Sequence, residues 1–331
     1  MNAGDLVVVF GGSGFIGKQV VRALAKRGYR VRIAMRRPHL GAELRVMGDV
    51  GQVQIVQANV RYPQSIDAAL EDADAVVNLV AVMYERGQQK FETLHVDSAQ
   101  EIAQAAAKRG IKRIVHMSAL GAGPKGARYA RSKYRGERAV LEAAPTATIL
   151  RPSVVFGPED NFFNRFAEMA RNPFLHGMGG FMPLIGGGKT KFQPVFVGDV
   201  ADAVVAALGK HEAQGRIYEL GGPRVYSFKQ LMQLVCDETD RHPNMLPLPF
   251  FFAHPIGLLV NWAFTLLPWA PPLTGDQVTL LKRDNVVGAD ANAHTIQDIG
   301  VAPLESVEAI VPSYLWRFRP YGQFQTKQNP A

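Results

Sequence analysis

The feature that most constrains this chain lies near its start, where a run of valines breaks into glycines: Leu6-Val7-Val8-Val9-Phe10-Gly11-Gly12-Ser13-Gly14-Phe15-Ile16-Gly17. Leu6 to Phe10 is short, apolar and β-branched, the pattern of a buried strand. Beyond the glycines, Ile16, Val20, Val21 and Leu24 recur at helical spacing. A strand that turns so tightly into a helix divides the work among three glycines. Gly11 permits the turn, Gly14 lets a pyrophosphate approach the backbone, and Gly17 lets the helix pack closely on the strand. Unpaired N–H groups and the helix dipole then favour phosphate at the helix start. The expected ligand is a dinucleotide, touching Gly11, Ser13, Gly14, Phe15, Ile16 and Gly17.

The spacing of these glycines, G-x-x-G-x-x-G, resembles that of the short-chain dehydrogenase/reductase superfamily, above all its extended and atypical branches. The next strand, Tyr29 to Met35, should end on the residues that read the adenosine ribose. An acid there selects NAD by accepting from the 2′-hydroxyl; a base accommodates a 2′-phosphate. Arg36-Arg37 follows, with no acid before Glu43. A guanidinium–phosphate contact is charge-assisted, so the expected cofactor is NADPH, held by Arg36 with Arg37.

Strand and helix patterns then alternate. Strands are predicted at Val53–Gln57, Ala75–Leu79, Arg113–Met117 and Ala147–Leu150. Helices are predicted from Pro63, over Phe91–Lys108 and over Ala130–Ala143. Six strands joined by helices make an α/β fold, a Rossmann-type doubly wound parallel sheet. The expected organisation is a nucleotide-binding domain over residues 1–150 and a smaller, irregular C-terminal α/β lobe over 151–331, with some return to the sheet. The resemblance implies nucleotide contacts at strand ends: Asn59 and Val60 near the adenine, and Leu79, Val80 and Ala81 along the nucleotide. It also implies that the element Arg151 to Pro158 covers the nicotinamide, through Pro152 and Val154. Relatives usually carry Asp where Asn59 stands. Asp199, in a later shared element, is expected to cap a helix over Val200–Leu208, and Tyr218 to Leu220 is expected to be a strand ending in a turn at Gly221-Gly222.

Tyr129-Ala130-Arg131-Ser132-Lys133 is a Y-x-x-x-K motif at a helix start, which sets Tyr129 and Lys133 on one face. In the superfamily it resembles, the tyrosine is the general acid/base. The lysine holds the nicotinamide ribose and lowers the tyrosine's pKa, and Ser118 matches the residue that polarises the carbonyl. Ten residues separate Ser118 from Tyr129, fewer than in most active extended enzymes. The intervening Ala119 to Gly126 offers little to hold a polar substrate, so turnover is expected to be absent or slow. The eight histidines are dispersed without metal-ligand spacing, and His116 is expected to be a packed core residue. Neither a G-x-S-x-G elbow nor a Walker lysine is present.

Formal net charge is +8, but Lys and Arg are scattered. That pattern is a solvated surface suited to an anionic membrane or acidic partner, not a nucleic-acid footprint. One cysteine, Cys236, excludes an internal disulfide and fits a reducing compartment. With the first strand some six residues in, no targeting segment is expected.

Between Arg241 and Asp276 no Asp, Glu, Lys or Arg occurs, while Phe250 to Trp269 is almost wholly apolar. Pro255 and Pro268 are expected to bound a helix of about a dozen residues, roughly 18 Å at 1.5 Å per residue. A span needs about 20 residues, so the helix cannot cross a bilayer. It is apolar on all sides and must be covered by protein or lipid. Residues 247–274 therefore form an expected docking segment, and the tail Tyr314 to Tyr321 mixes aromatics and arginines as interfaces do. The run Pro271 to Val287, together with the glycine turn and Arg131-Ser132-Lys133, closely resembles the NADPH-binding accessory subunit family of respiratory complex I (the 39 kDa or A9 type), over nearly the whole chain. The resemblance implies a tightly held NADPH and a structural role beside the quinone site. It further implies other complex I subunits and the membrane surface as partners, and no preference for self-association. The location implied is the cytoplasmic face of a bacterial inner membrane, or the matrix face if organellar. The alternative is an NADPH-dependent reductase or epimerase acting on a ketone, isoprenoid or nucleotide sugar.

Overall fold

The computed structural model describes residues 1–172, 181–265 and 274–324, without the side chains of 261–265. The chain forms two compact units. The first gathers Met1–Pro152, Val197–Gly221 and Val287–Pro303; the second holds the intervening segments and the C-terminal part.

The first unit is built on β1 (Leu6–Phe10), β2 (Arg30–Met35), β3 (Val53–Gln57), β4 (Ala75–Asn78), β5 (Arg113–Met117) and β6 (Thr148–Pro152). Two later strands, Ile217–Leu220 and His294–Thr295, extend the sheet beside β6. The order runs from His294–Thr295 through Ile217–Leu220, β6, β5, β4, β1 and β2 to β3, and every pairing is parallel. The sheet thus has eight strands, where the local pattern predicts six over residues 1–150 and a further strand over Tyr218–Leu220. The two extra strands are recruited over more than sixty residues of intervening chain, a pairing that no local periodicity encodes. Chain order reverses at β1, between β2 and β4, the switch point at which such sheets form a crevice.

Helices α1 (Phe15–Lys26), α2 (Pro63–Ala69), α3 (Ser98–Lys108) and α4 (Arg128–Ala143) connect these strands. Strands buried on both faces read as unbroken apolar runs, and β1 is buried at all five positions. Val8, Phe10, Val76, Ile114 and Ile149 from the sheet pack with Ile66, Ile102, Ala106 and Val140 from α2, α3 and α4. Helix Val197–Gly209 packs beside α1. It begins two residues earlier than Asp199, which is buried inside its first turn. Asp199 is therefore not the cap: strand Val195–Phe196 runs directly into the helix.

In the second unit, among the described residues, three two-stranded pairs accompany helices Phe163–Arg171 and Phe228–Thr239. Its core is aromatic: Phe156, Phe163, Phe192 and Phe228 are buried with Leu231, Met232 and Leu315. Ser227 and Gln230 close a capping box at the start of Phe228–Thr239.

The uncharged stretch forms a helix from Phe250 to Thr265, with Pro255 inside it and not at its boundary. An interior proline removes one backbone bond. Pro255 lies in the second turn, and the carbonyl it frees belongs to the exposed Phe251. At 16 residues the helix is about 24 Å long. No helix among the described residues is long and apolar enough to cross a membrane. Its small residues face inward: Ala253 and Gly257 are buried, and a Cβ on Gly257 would stand 2.9 Å from the Gly275 nitrogen. Phe250 packs inward against Ile185 and Val278, while other large residues face out, with Phe251 80%, Leu259 65% and Leu258 53% exposed. The remainder of segment 247–274, Leu266 to Leu273, lies outside the described residues.

Candidate functional site

The glycine turn connects β1 to α1. Gly11 has φ +82°, and a Cβ there would stand 3.0 Å from the Leu79 carbonyl carbon, so glycine is required twice over. A Cβ on Gly17 would stand 2.2 Å from the Gly11 oxygen; α1 can lie so close to the turn only without it. Gly14 differs, since a Cβ there meets only the Gly11 oxygen, at 3.4 Å. Gly14 is also the N-cap of α1, with no side-chain cap and no acid in the first turn. The first N–H groups of α1, at Phe15 and Ile16, thus have the character of an anion site. Ser13 is exposed beside them.

Around this turn, Leu79 donates to the Phe10 carbonyl (2.9 Å) and Val80 to Asn78 Oδ1 (3.1 Å), which fixes Leu79, Val80 and Ala81 at the end of β4. Arg36 and Arg37 follow β2. Both are exposed, and neither guanidinium has a hydrogen-bond or ion-pair partner among the described residues. Asn59, with Val60 after β3, turns its Oδ1 toward the Arg61 backbone N–H (3.2 Å). Pro152 ends β6, and its carbonyl accepts from Leu120 (2.8 Å). Val154 belongs to the second unit, where its N–H donates to Asn285 Oδ1 (3.1 Å). A narrow glycine turn, an uncapped helix start and two unpaired guanidiniums fit a phosphorylated dinucleotide.

The catalytic-type residues gather at the end of β5. Lys133 is fully buried, and its Nζ donates to the Met117 carbonyl (2.7 Å), immediately before Ser118. Ser118 is buried with no hydrogen-bond partner for its Oγ. Burial pushes the Lys133 ammonium down to about 8, partly offset by the Glu137 carboxylate. Tyr129 lies one turn earlier on α4. Burial pushes its phenol up to about 12. The superfamily resemblance implies a lysine that lowers this pKa; here desolvation governs the tyrosine, and the lysine is bonded to Met117.

Sequence reasoning missed His95. It lies in a π-helical turn, Glu92–Asp97, that precedes α3, where one continuous α-helix is predicted. Such turns frequently mark functional sites. His95 Nε2 accepts from the Val82 N–H (3.0 Å), so Nδ1 carries the proton and donates to Ser132 Oγ (2.8 Å). Ser132 in turn donates to the Tyr129 carbonyl (2.7 Å). The ring stacks on Phe91 and meets the edge of Tyr129, with centroids 5.2 and 5.5 Å apart. Burial, with Lys133 nearby, holds His95 down to about 3. Nothing in the spacing announces this residue, because its partners come from three separate segments. His116 is a packed core histidine, its Nδ1 3.2 Å from Asn78 Nδ2. Among the described residues no cluster could hold a metal ion. A cavity of about 410 Å³ lies at the opposite ends of the strands, lined by Arg30, Arg32, Arg45 and Gln52, away from this site.

Residues 7–221 match the NAD dependent epimerase/dehydratase family. The mitochondrial NADH dehydrogenase (ubiquinone) 1 alpha subcomplex subunit 9 of Arabidopsis thaliana is 37% identical over 313 residues, covering 91% of this chain and 75% of that protein. The chain belongs to the subunit 9 family. The Mus musculus protein of the same name is 35% identical over 315 residues, 93% of this chain and 80% of that one. The structure of UDP-glucuronic acid 4-epimerase from Bacillus cereus, in complex with UDP-glucuronic acid and NAD, is similar at a TM-score of 0.63. The two are 20% identical, over 94% of this chain and 98% of that one, a likeness of fold. In this subunit 9 family member the glycine turn, Tyr129 and Lys133 fall inside the matched epimerase span, whereas helix Phe250–Thr265 falls outside it.

Proposed function

We propose that this chain is an NADPH-binding accessory subunit of NADH:ubiquinone oxidoreductase, stabilising the peripheral arm near the quinone site. The observation that carries the cofactor is the pair Arg36 and Arg37 after β2, their guanidiniums exposed and unpartnered among the described residues. A 2′-phosphate would satisfy both. The glycine turn would take the pyrophosphate, and Tyr129 and Lys133 the nicotinamide riboside. The accessory role is supported by the names of the relatives, and by a phenol held near 12, poorly matched to proton exchange at neutral pH.

The exposed face of helix Phe250–Thr265 supports a peripheral position, docked on membrane-adjacent partners at the cytoplasmic (or matrix) surface. Fully burying one such side chain is worth about 1.5–3 kcal/mol, and monomers avoid large exposed apolar patches.

Dinucleotide titration tests the cofactor. NADPH should bind more tightly than NADH. Arg36→Asp should lose a contact worth about 1.5–3 kcal/mol, weakening NADPH about 10- to 150-fold while gaining NADH. Equal affinity of the natural protein for both would overturn the assignment. So would steady NADPH consumption with ketones or quinones that Tyr129→Phe abolishes, as regards the accessory role.

A further inference from the structure

The face of α4 that carries Tyr129 and Lys133 continues one further turn to Glu137, which the reading above leaves without a task. Glu137 is 1% exposed. Its two oxygens accept from Arg151 Nε (2.9 Å) and Nη2 (2.7 Å). The third nitrogen of Arg151 donates to Asp290 Oδ2 (2.8 Å), from the segment that returns to the sheet after residue 287. Glu219 stands opposite Arg151 in the strand register and accepts from the Gly288 N–H (2.7 Å). Each member of this cluster comes from a different element, and Arg151 is clamped on both sides.

Filling a core does not require such a cluster, since well-packed apolar residues do it without desolvating charges. The surroundings of Lys133 suggest what it is for. His95 and His116 both feel its charge and are held neutral by burial. Tyr129, one turn back, is held as a neutral phenol. Glu137, one turn forward, is the carboxylate that favours the charged lysine against burial. A deprotonated Lys133 would keep two N–H bonds in place of three, one of them already committed to Met117.

We propose that Glu137 is a positioning residue of the dinucleotide site: its carboxylate, fixed by Arg151 and Asp290, keeps the buried Lys133 an ammonium aimed at the end of β5. The remaining N–H groups of Lys133 are then available to ribose hydroxyls, a step that rests on the dinucleotide reading.

The test is an NMR titration of lysine labelled at Cε in the ligand-free protein, with the Lys133 signal assigned by its loss in Lys133→Met. In the natural chain it should titrate near 8. Glu137→Gln should lower the midpoint by about one unit or more, a tenfold change in the protonation equilibrium. Because Glu137→Gln leaves Arg151 facing an amide, the deciding variant is Glu137→Gln with Arg151→Met, which removes both charges of the pair. A folded double variant with the lowered midpoint, whose NADPH affinity declines at correspondingly lower pH, supports the proposal. A folded double variant that titrates within about 0.3 unit of the natural chain overturns it and leaves Glu137 as the mere partner of Arg151. If the natural chain binds no NADPH, the dinucleotide reading falls, while the titration still decides what Glu137 does to Lys133.

Discussion

Three glycines in one turn do different work, and substitution separates them. Gly17→Ala drives a Cβ to 2.2 Å from the Gly11 oxygen and 2.6 Å from the Gly12 Cα, both backbone atoms. Overpacking of this kind costs typically about 1–3 kcal/mol, so urea unfolding should shift to lower denaturant and NADPH binding should fail. Gly14→Ala meets only one atom, at 3.4 Å. Its stability should stay within about 0.5 kcal/mol of the natural chain, while NADPH binding weakens because the added methyl stands where phosphate approaches. Equal destabilisation by the two would contradict the division. The steric need for glycine at position 17 is legible from spacing alone, because the Gly11 oxygen it spares is six residues away, whereas Gly11 is also constrained by Leu79, far along the chain. Glu137 stands at the next helical step after Tyr129 and Lys133, but its meaning depends on Arg151, 14 residues away, and on Asp290, a further 139 residues along the chain. His95 had no signal at all, since the Val82 amide and the Ser132 hydroxyl give it its tautomer.

At the scale of elements, the π-helical turn Glu92–Asp97 packs against α4 so closely that a Cβ on Gly136 would stand 2.0 Å from the His95 carbonyl oxygen. This contact buries a neutral histidine, and burial has a pH signature. Unfolded, His95 takes a proton below about 6.5; folded, it resists until about 3. Its folded pKa is depressed, so the unfolded state binds more protons throughout that window and stability falls as pH falls. The stability is intact above about pH 6.5 and lost progressively down to about pH 3. Each such histidine contributes a slope of about 1.4 kcal/mol per pH unit, and His116, also held well below its usual value, adds in the same direction. His95→Asn should flatten the acid limb of urea-derived stability by about one such slope between about pH 6 and 4. An unchanged limb would mean that His95 is charged in the fold. Periodicity gave the helix over Phe91–Lys108 its place but not its π turn, which adds one residue without altering the apolar pattern.

At the scale of the molecule, a doubly wound parallel sheet is accompanied by a unit whose apolar helix turns Ala253 and Gly257 inward and Phe251, Leu258 and Leu259 out. Leu259 is 65% exposed, so Leu259→Glu should leave urea stability within about 0.5 kcal/mol. It should nevertheless release the protein from membranes into the soluble fraction with NADPH still bound. If the variant unfolds, the helix belongs to the core of its unit and the docking reading fails. The alternation of strands and helices makes the doubly wound sheet readable, but the two strands beyond β6 come from residues 217–220 and 294–295. Tyr218 to Leu220 reads as a strand, but its place beside β6 and the two-residue strand His294–Thr295 cannot be read locally, because pairing across the chain carries no periodic signature. The central claim, a subunit of NADH:ubiquinone oxidoreductase, is tested most directly by a native gel of membranes solubilised in mild detergent and probed for this chain. The chain should migrate with the band that oxidises NADH and be lost from it in Leu259→Glu. A natural chain that runs alone at its monomer mass, with the NADH-oxidising band intact without it, would contradict the account.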